Sequence, residues 1–69
     1  MRIRYDQSVD SITIVLRQDS SVRESDETSP GVIMDFDETG TLVAIEVLDA
    51  SKRFEDIDRV QFEKTGAKL

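Results

Sequence analysis

Gly31-Val32-Ile33-Met34-Asp35-Phe36-Asp37-Glu38-Thr39-Gly40-Thr41-Leu42-Val43-Ala44-Ile45-Glu46-Val47-Leu48 is the stretch that decides the fold. Val32, Met34 and Phe36 alternate with Ile33, Asp35 and Asp37, Asp37 to Gly40 supplies turn residues, and Leu42 to Leu48 is β-branched and aliphatic. The pattern is that of a β-hairpin. A type I turn closed by a glycine bulge is the preferred geometry, because Gly40 supplies the positive φ it needs. Phe36 then opposes Leu42 and Ile33 opposes Ile45, so each sheet face carries apolar side chains. A two-residue loop at Glu38-Thr39 would instead set Val32 against Ile45 and Met34 against Val43, with one strongly apolar face.

Upstream, Ile3 and Tyr5 begin a short strand, Asp6 to Asp10 is a polar connection, and Ile12, Ile14 and Leu16 mark a second strand that pairs with the first. Gln18 to Ser21 reads as a turn, Val22 to Thr28 as a polar edge strand, and Ser29-Pro30-Gly31 as a break. A charged edge discourages edge-to-edge aggregation. Downstream, Asp49 or Ser51 is a candidate cap for one or two helical turns. Val60 and Phe62 fit a last strand, whereas Phe54, Ile57 and Val60 fit one stripe of a longer helix. The expected fold is α+β and mostly β: a small antiparallel β-meander of four or five strands with a short C-terminal helical segment, forming one domain over residues 1–69.

A domain of 69 residues buries only about 60% of the surface its unfolded chain exposes. Disulfides and a histidine- or cysteine-based metal site are closed to it, since it has neither residue. Self-association is the remaining route to stability. A short helix covers one sheet face at most, so burying the other against a second copy predicts a homodimer through a sheet face.

The net charge of −6 repels nucleic acid and anionic membrane surfaces and favours a basic protein partner. The basic residues form no dense stripe, so no nucleic-acid footprint is present. No apolar run approaches the ~20 residues of a membrane span, and Met1 to Asp6 lack the apolar core of a signal peptide. A cytoplasmic protein is expected.

Asp35, Asp37, Thr39, Gly40, Leu42 and Glu46 match the spacing of an EF-hand calcium loop, but strand-like segments stand where its helices should be. In the hairpin, Asp35 and Glu46 are expected four pairs apart or on opposite faces, too far to share an ion or to serve as a glycosidase carboxyl pair. No metal site and no cofactor are assigned. Val32 to Leu42 also resembles the nucleophile motif of haloacid dehalogenase-type phosphatases. Glu38 and Thr39-Gly40-Thr41 depart from the Asp-x-Asp-Gly-Thr run, and the chain is too short for the doubly wound sheet such enzymes need. Without histidine, the common Ser-His-Asp and Cys-His arrangements are closed. Catalytic residues are therefore expected to be none, and the chain is read as a non-enzyme.

Ile3-Arg4-Tyr5-Asp6, Val9 to Ile14, Ser29 to Asp37 and especially Val43 to Arg53, with its closing Glu-x-x-Asp-Ala-Ser-Lys-Arg, resemble the short prokaryotic proteins of the domain-of-unknown-function 2283 family. The resemblance covers about residues 2–54, leaving 55–69 less well matched. It implies a compact antiparallel meander in a prokaryotic cytoplasm and carries no activity to transfer. Glu46, Asp49, Ser51, Lys52 and Arg53 are read as a strand end and helix cap tied by local hydrogen bonds, with a partner-contact patch as the sharper reading. The functional expectation is a non-enzymatic protein-interaction module. The alternatives are an acidic antitoxin-like protein, which the family resemblance suggests, and a calcium or other small-ligand binding module.

Overall fold

The computed structural model describes residues 1–68. Five antiparallel strands form one sheet: β1 (Arg2–Asp6), β2 (Ser11–Val15), β3 (Glu24–Ser29), β4 (Val32–Phe36) and β5 (Leu42–Val47), followed by a single helical turn, α1 (Ala50–Arg53). Consecutive strands pair as hairpins at β1–β2, β3–β4 and β4–β5, as expected of a meander, but the order across the sheet is β1-β2-β5-β4-β3. The exception has a chemical cause. A strand beside β2 in the interior is flanked on both sides, and Glu24-Ser25-Asp26-Glu27-Thr28-Ser29 would carry carboxylates into that slot. The aliphatic β5 takes it, and β3 goes to the outer edge with every residue exposed.

The central turn has the expected geometry. Gly40 N–H donates to the Asp37 carbonyl (3.0 Å), Asp37 N–H donates to the Thr41 carbonyl (2.9 Å), and Gly40 sits at φ 82°. The Asp37 carboxylate accepts from the Thr39 hydroxyl (2.7 Å) and from the Thr39 and Thr41 N–H groups (2.9 and 3.0 Å). Phe36 opposes Leu42 as expected, but the next pair is Asp35 with Ala44. Val43 is one residue too many for regular pairing, a β-bulge. Its carbonyl is turned toward β2 and accepts from both Leu16 N–H (2.8 Å) and Arg17 N–H (3.2 Å). Beyond it Met34, not Ile33, faces Ile45, and Ile33 faces Glu46. This corrects the register expected of the bulged hairpin.

The shift sorts the two faces. One carries the rows Ile3-Ile14-Ile45-Met34 and Tyr5-Ile12-Val47-Val32, together with Phe36. The other carries Arg2-Val15-Ala44-Asp35-Ser25 and Arg4-Thr13-Glu46-Ile33-Glu27. The expectation that both faces are apolar is thereby corrected: one is apolar, the other mixed and polar. The buried apolar core is small, consisting of Ile12, Val43, Ala44, Val47 and Ala50.

Beyond α1 the chain has no regular helix or strand among the described residues. Neither expected form of the tail is realised. Phe54 to Gln61 lies instead against Ile3, Ile12 and Ile14, enclosing a groove of about 260 Å³ over the β1–β2 half of the apolar face. The β4–β5 half has no such cover, and Val32, Met34, Phe36 and Ile45 stay only half-buried.

Candidate functional site

The five residues singled out in the sequence separate into three settings. Glu46, on β5, belongs to the polar sheet face. Asp49 stands at the N-cap in left-handed geometry (φ 53°) and makes no side-chain capping bond. Ser51, Lys52 and Arg53 share the single turn of α1.

The cap comes from elsewhere in the chain. Asp10, in the β1–β2 turn, accepts from Ser51 N–H (2.9 Å) and the Ser51 hydroxyl (2.7 Å), and its main-chain carbonyl accepts from Ala50 N–H (2.9 Å). Tyr5 donates its hydroxyl to the same carboxylate at 2.7 Å. The Ser51 hydroxyl first, then Tyr5, hold the Asp10 pKa below the ordinary aspartate value. The hydrogen bond to Asp10 in turn raises that of Tyr5. The tie is long-range, which corrects the expectation of local capping by Asp49 or Ser51.

Arg53 makes a second tie. Its guanidinium donates to the Pro30 carbonyl and lies over Gly31, where a β-carbon would come within 2.6 Å of Nη2. Gly31 has φ 79°, and its carbonyl accepts from Leu48 N–H at 2.8 Å. Glycine suits the left-handed backbone angle here, and any side chain would force the Arg53 guanidinium to shift.

Asp35 and Glu46 come together, against the expectation. With Asp35 opposite Ala44 and Glu46 opposite Ile33 they are diagonal neighbours on one face, within reach of long side chains. Asp35 is only 4% exposed and accepts from the Ser25 hydroxyl at 2.6 Å. The hydrogen bond shared with Asp35, then burial, raise the Glu46 pKa above the ordinary glutamate value. The two carboxyl groups thus stand beside each other across the β4–β5 pair. Among the described residues no group of three or more histidine, cysteine, aspartate or glutamate side chains is placed to hold a metal ion.

Sequence reasoning passed over Tyr5, Asp10 and Ser25. Nothing near Asp10 announces a partner 41 positions on, and Ser25 reads as one more polar residue of an edge strand.

A family model described as a protein of unknown function, DUF2283, matches residues 2–51. The chain belongs to the DUF2283 family. The DUF2283 match spans all five strands and ends at Ser51, so both ends of the Asp10–Ser51 tie lie inside it, while Arg53 and the segment over Ile3, Ile12 and Ile14 lie outside. No curated protein and no solved structure matches the chain. Among the described residues no helix is long and apolar enough to cross a membrane.

Proposed function

We propose that this DUF2283 protein is a non-enzymatic protein-interaction module that works as a homodimer, two copies closing over the β4–β5 half of the apolar face. The observation that carries the reading is the amount of surface left open. A folded monomer of 7.8 kDa is expected to expose about 4,400 Å², whereas this chain exposes 5745 Å². The excess, roughly 1,300 Å², exceeds the ~800 Å² that each partner contributes to a standard interface. The plate-like extents of 36 × 32 × 21 Å and radius of gyration of 13.7 Å, against about 11 Å for a compact chain of this length, agree with a molecule lacking one layer. Sheets bury their apolar face against a second layer, and a second copy brings a matching face. The absence of histidine and cysteine supports the non-enzymatic half of the reading.

Sedimentation velocity at micromolar concentration should give twice the chain mass, and Met34→Glu should give a monomer. Because the chain has no cysteine, Met34→Cys supplies a single thiol on the apolar face and Thr13→Cys one on the polar face. Oxidation should cross-link the first variant quickly and the second slowly. A wild-type monomer throughout the concentration range, or equal cross-linking of both variants, defeats the proposal.

A further inference from the structure

β3 ends the sheet with its outer side unpaired, and all six of its residues are exposed. The register places Glu24 opposite Phe36 and Asp26 opposite Met34, so two carboxylates two residues apart border the open apolar face. Glu27 projects to the other face and accepts from Gly31 N–H at 2.9 Å. The strand carries three acidic residues and no basic one. Natural edge strands use charge to refuse unwanted pairing, and acid against acid does refuse a second β3. A guard of one sign is, however, attractive to a strand of the other sign, because opposite charges facing each other across strands stabilise the pair. The far edge of the same sheet, β1, carries Arg2 and Arg4. A second copy does not satisfy β3 through β1 if the apolar face is continued, since Ile3 and Tyr5, not the arginines, would then stand against Glu24 and Asp26.

We propose that β3 is a receptor edge that adds an extended strand from a partner protein with Lys or Arg at alternate positions. Two of its basic side chains face Glu24 and Asp26, and its backbone pairs with the open side of β3. Main-chain hydrogen bonds supply the generic part of such a contact and the alternating side chains the selective part. The proposal does not depend on the dimer: a monomer that accepts such a strand would sink that reading and keep this one.

The probes are two synthetic octapeptides of equal charge, alternating Lys-Thr repeated four times and a block of four lysines followed by four threonines. Both are titrated into the labelled full chain at low salt and followed by NMR shifts and amide hydrogen exchange. The alternating peptide should bind at least tenfold more tightly than the block and should slow exchange at β3 amides. Replacing both acids, Glu24→Lys with Asp26→Lys, should abolish the difference. β3 is fully exposed, so the double variant should keep the spectrum of a folded chain; Glu24→Gln with Asp26→Asn provides a milder second test, lowering affinity without reversing charge. Equal affinity for the two peptides would reduce the effect to diffuse charge attraction, and no binding at millimolar peptide, or shifts centred away from β3, would overturn the proposal outright. Assemblies that grow without peptide would show that a flipped β1 from another copy fills the edge, which also overturns it.

Discussion

Asp10 and Ser51 stand 41 residues apart in sequence, yet the aspartate accepts from both the backbone N–H and the hydroxyl of the serine, at 2.9 and 2.7 Å. The first turn of the protein thus caps its only helical turn among the described residues, and α1 packs against β2. A single helical turn has little stability of its own.

Asp10→Asn should therefore loosen α1 and lower the melting temperature by several degrees, with Ser51→Ala giving a smaller loss in the same direction. The pH dependence follows from the lowered pKa of Asp10. Its stabilising contribution is complete above the unfolded value near 3.8 and disappears as the pH falls through the lower folded value. Urea unfolding from pH 6 down to pH 2 should show an acid limb that is shallower in Asp10→Asn.

Glu46 responds in the opposite sense. Its folded pKa is raised, so its contribution is complete below the unfolded value near 4.5 and is lost as the pH rises through the raised value. Above it Glu46 holds its charge beside Asp35 and partly out of water, which is unfavourable. Glu46→Gln keeps a donor for Asp35 and removes that loss. Urea unfolding at pH 4 and pH 7 should show the wild type weakening over this interval relative to Glu46→Gln.

Ser25→Ala takes the hydroxyl donor from an aspartate that is 4% exposed. Removing one partner of a buried hydrogen bond to a carboxyl costs about 1–3 kcal/mol. Ser29 on the same strand makes no such bond to Asp35, so Ser29→Ala should change stability by less than about 0.5 kcal/mol. Parallel chemical denaturation of the two variants checks the contrast.

Val43 is the extra residue of the bulge and is only 2% exposed. Val43→Ala should cost about 2 kcal/mol through lost burial and the cavity left behind. Deleting Val43 should do far more. The Phe36–Leu42 and Asp35–Ala44 pairs survive the deletion in regular register, but the buried side chain and the carbonyl that receives the Leu16 and Arg17 N–H groups are both lost. Urea unfolding of the deletion variant should show a cooperative transition at a lower midpoint than that of Val43→Ala.

Gly31→Ala should destabilise by about 1–2 kcal/mol from the left-handed backbone alone, with an added loss from the crowded Arg53 guanidinium. Arg53→Ala removes the crowding but leaves the backbone cost. The two substitutions should combine to less than their sum, and a double-mutant cycle measures the difference.

The central turn was legible because Asp37 and Gly40 carry its chemistry locally, and β3 could be placed at an edge because three carboxylates in six residues fit no interior slot. The register beyond the turn was not legible. Val43 looks like its strand neighbours Ala44 and Ile45, and the bulge is set by what Leu16 and Arg17 demand of its carbonyl, residues that no local window contains. The juxtaposition of Asp35 and Glu46 depends on that same bulge. The tail misled through Val60 and Phe62, whose alternation matches a strand, although they stay 65% and 78% exposed in a segment without regular structure. The roles of Ser51 and Arg53 depended on Asp10 and Gly31, which helix-cap rules do not connect with them.

The placement of β5 between β2 and β4 sets an order of assembly. The unit β3-β4-β5 closes through short turns within residues 24–47, whereas β2 finds its neighbour only across β3 and β4. Local pairing precedes distant pairing because less chain entropy is lost in closing it. The β1–β2 hairpin carries Ile12 and Ile14, and its inner edge waits for Ala44 to Val47 to arrive beside it. The protein is therefore most exposed to aggregation while its first hairpin is formed and β5 has not yet paired with it.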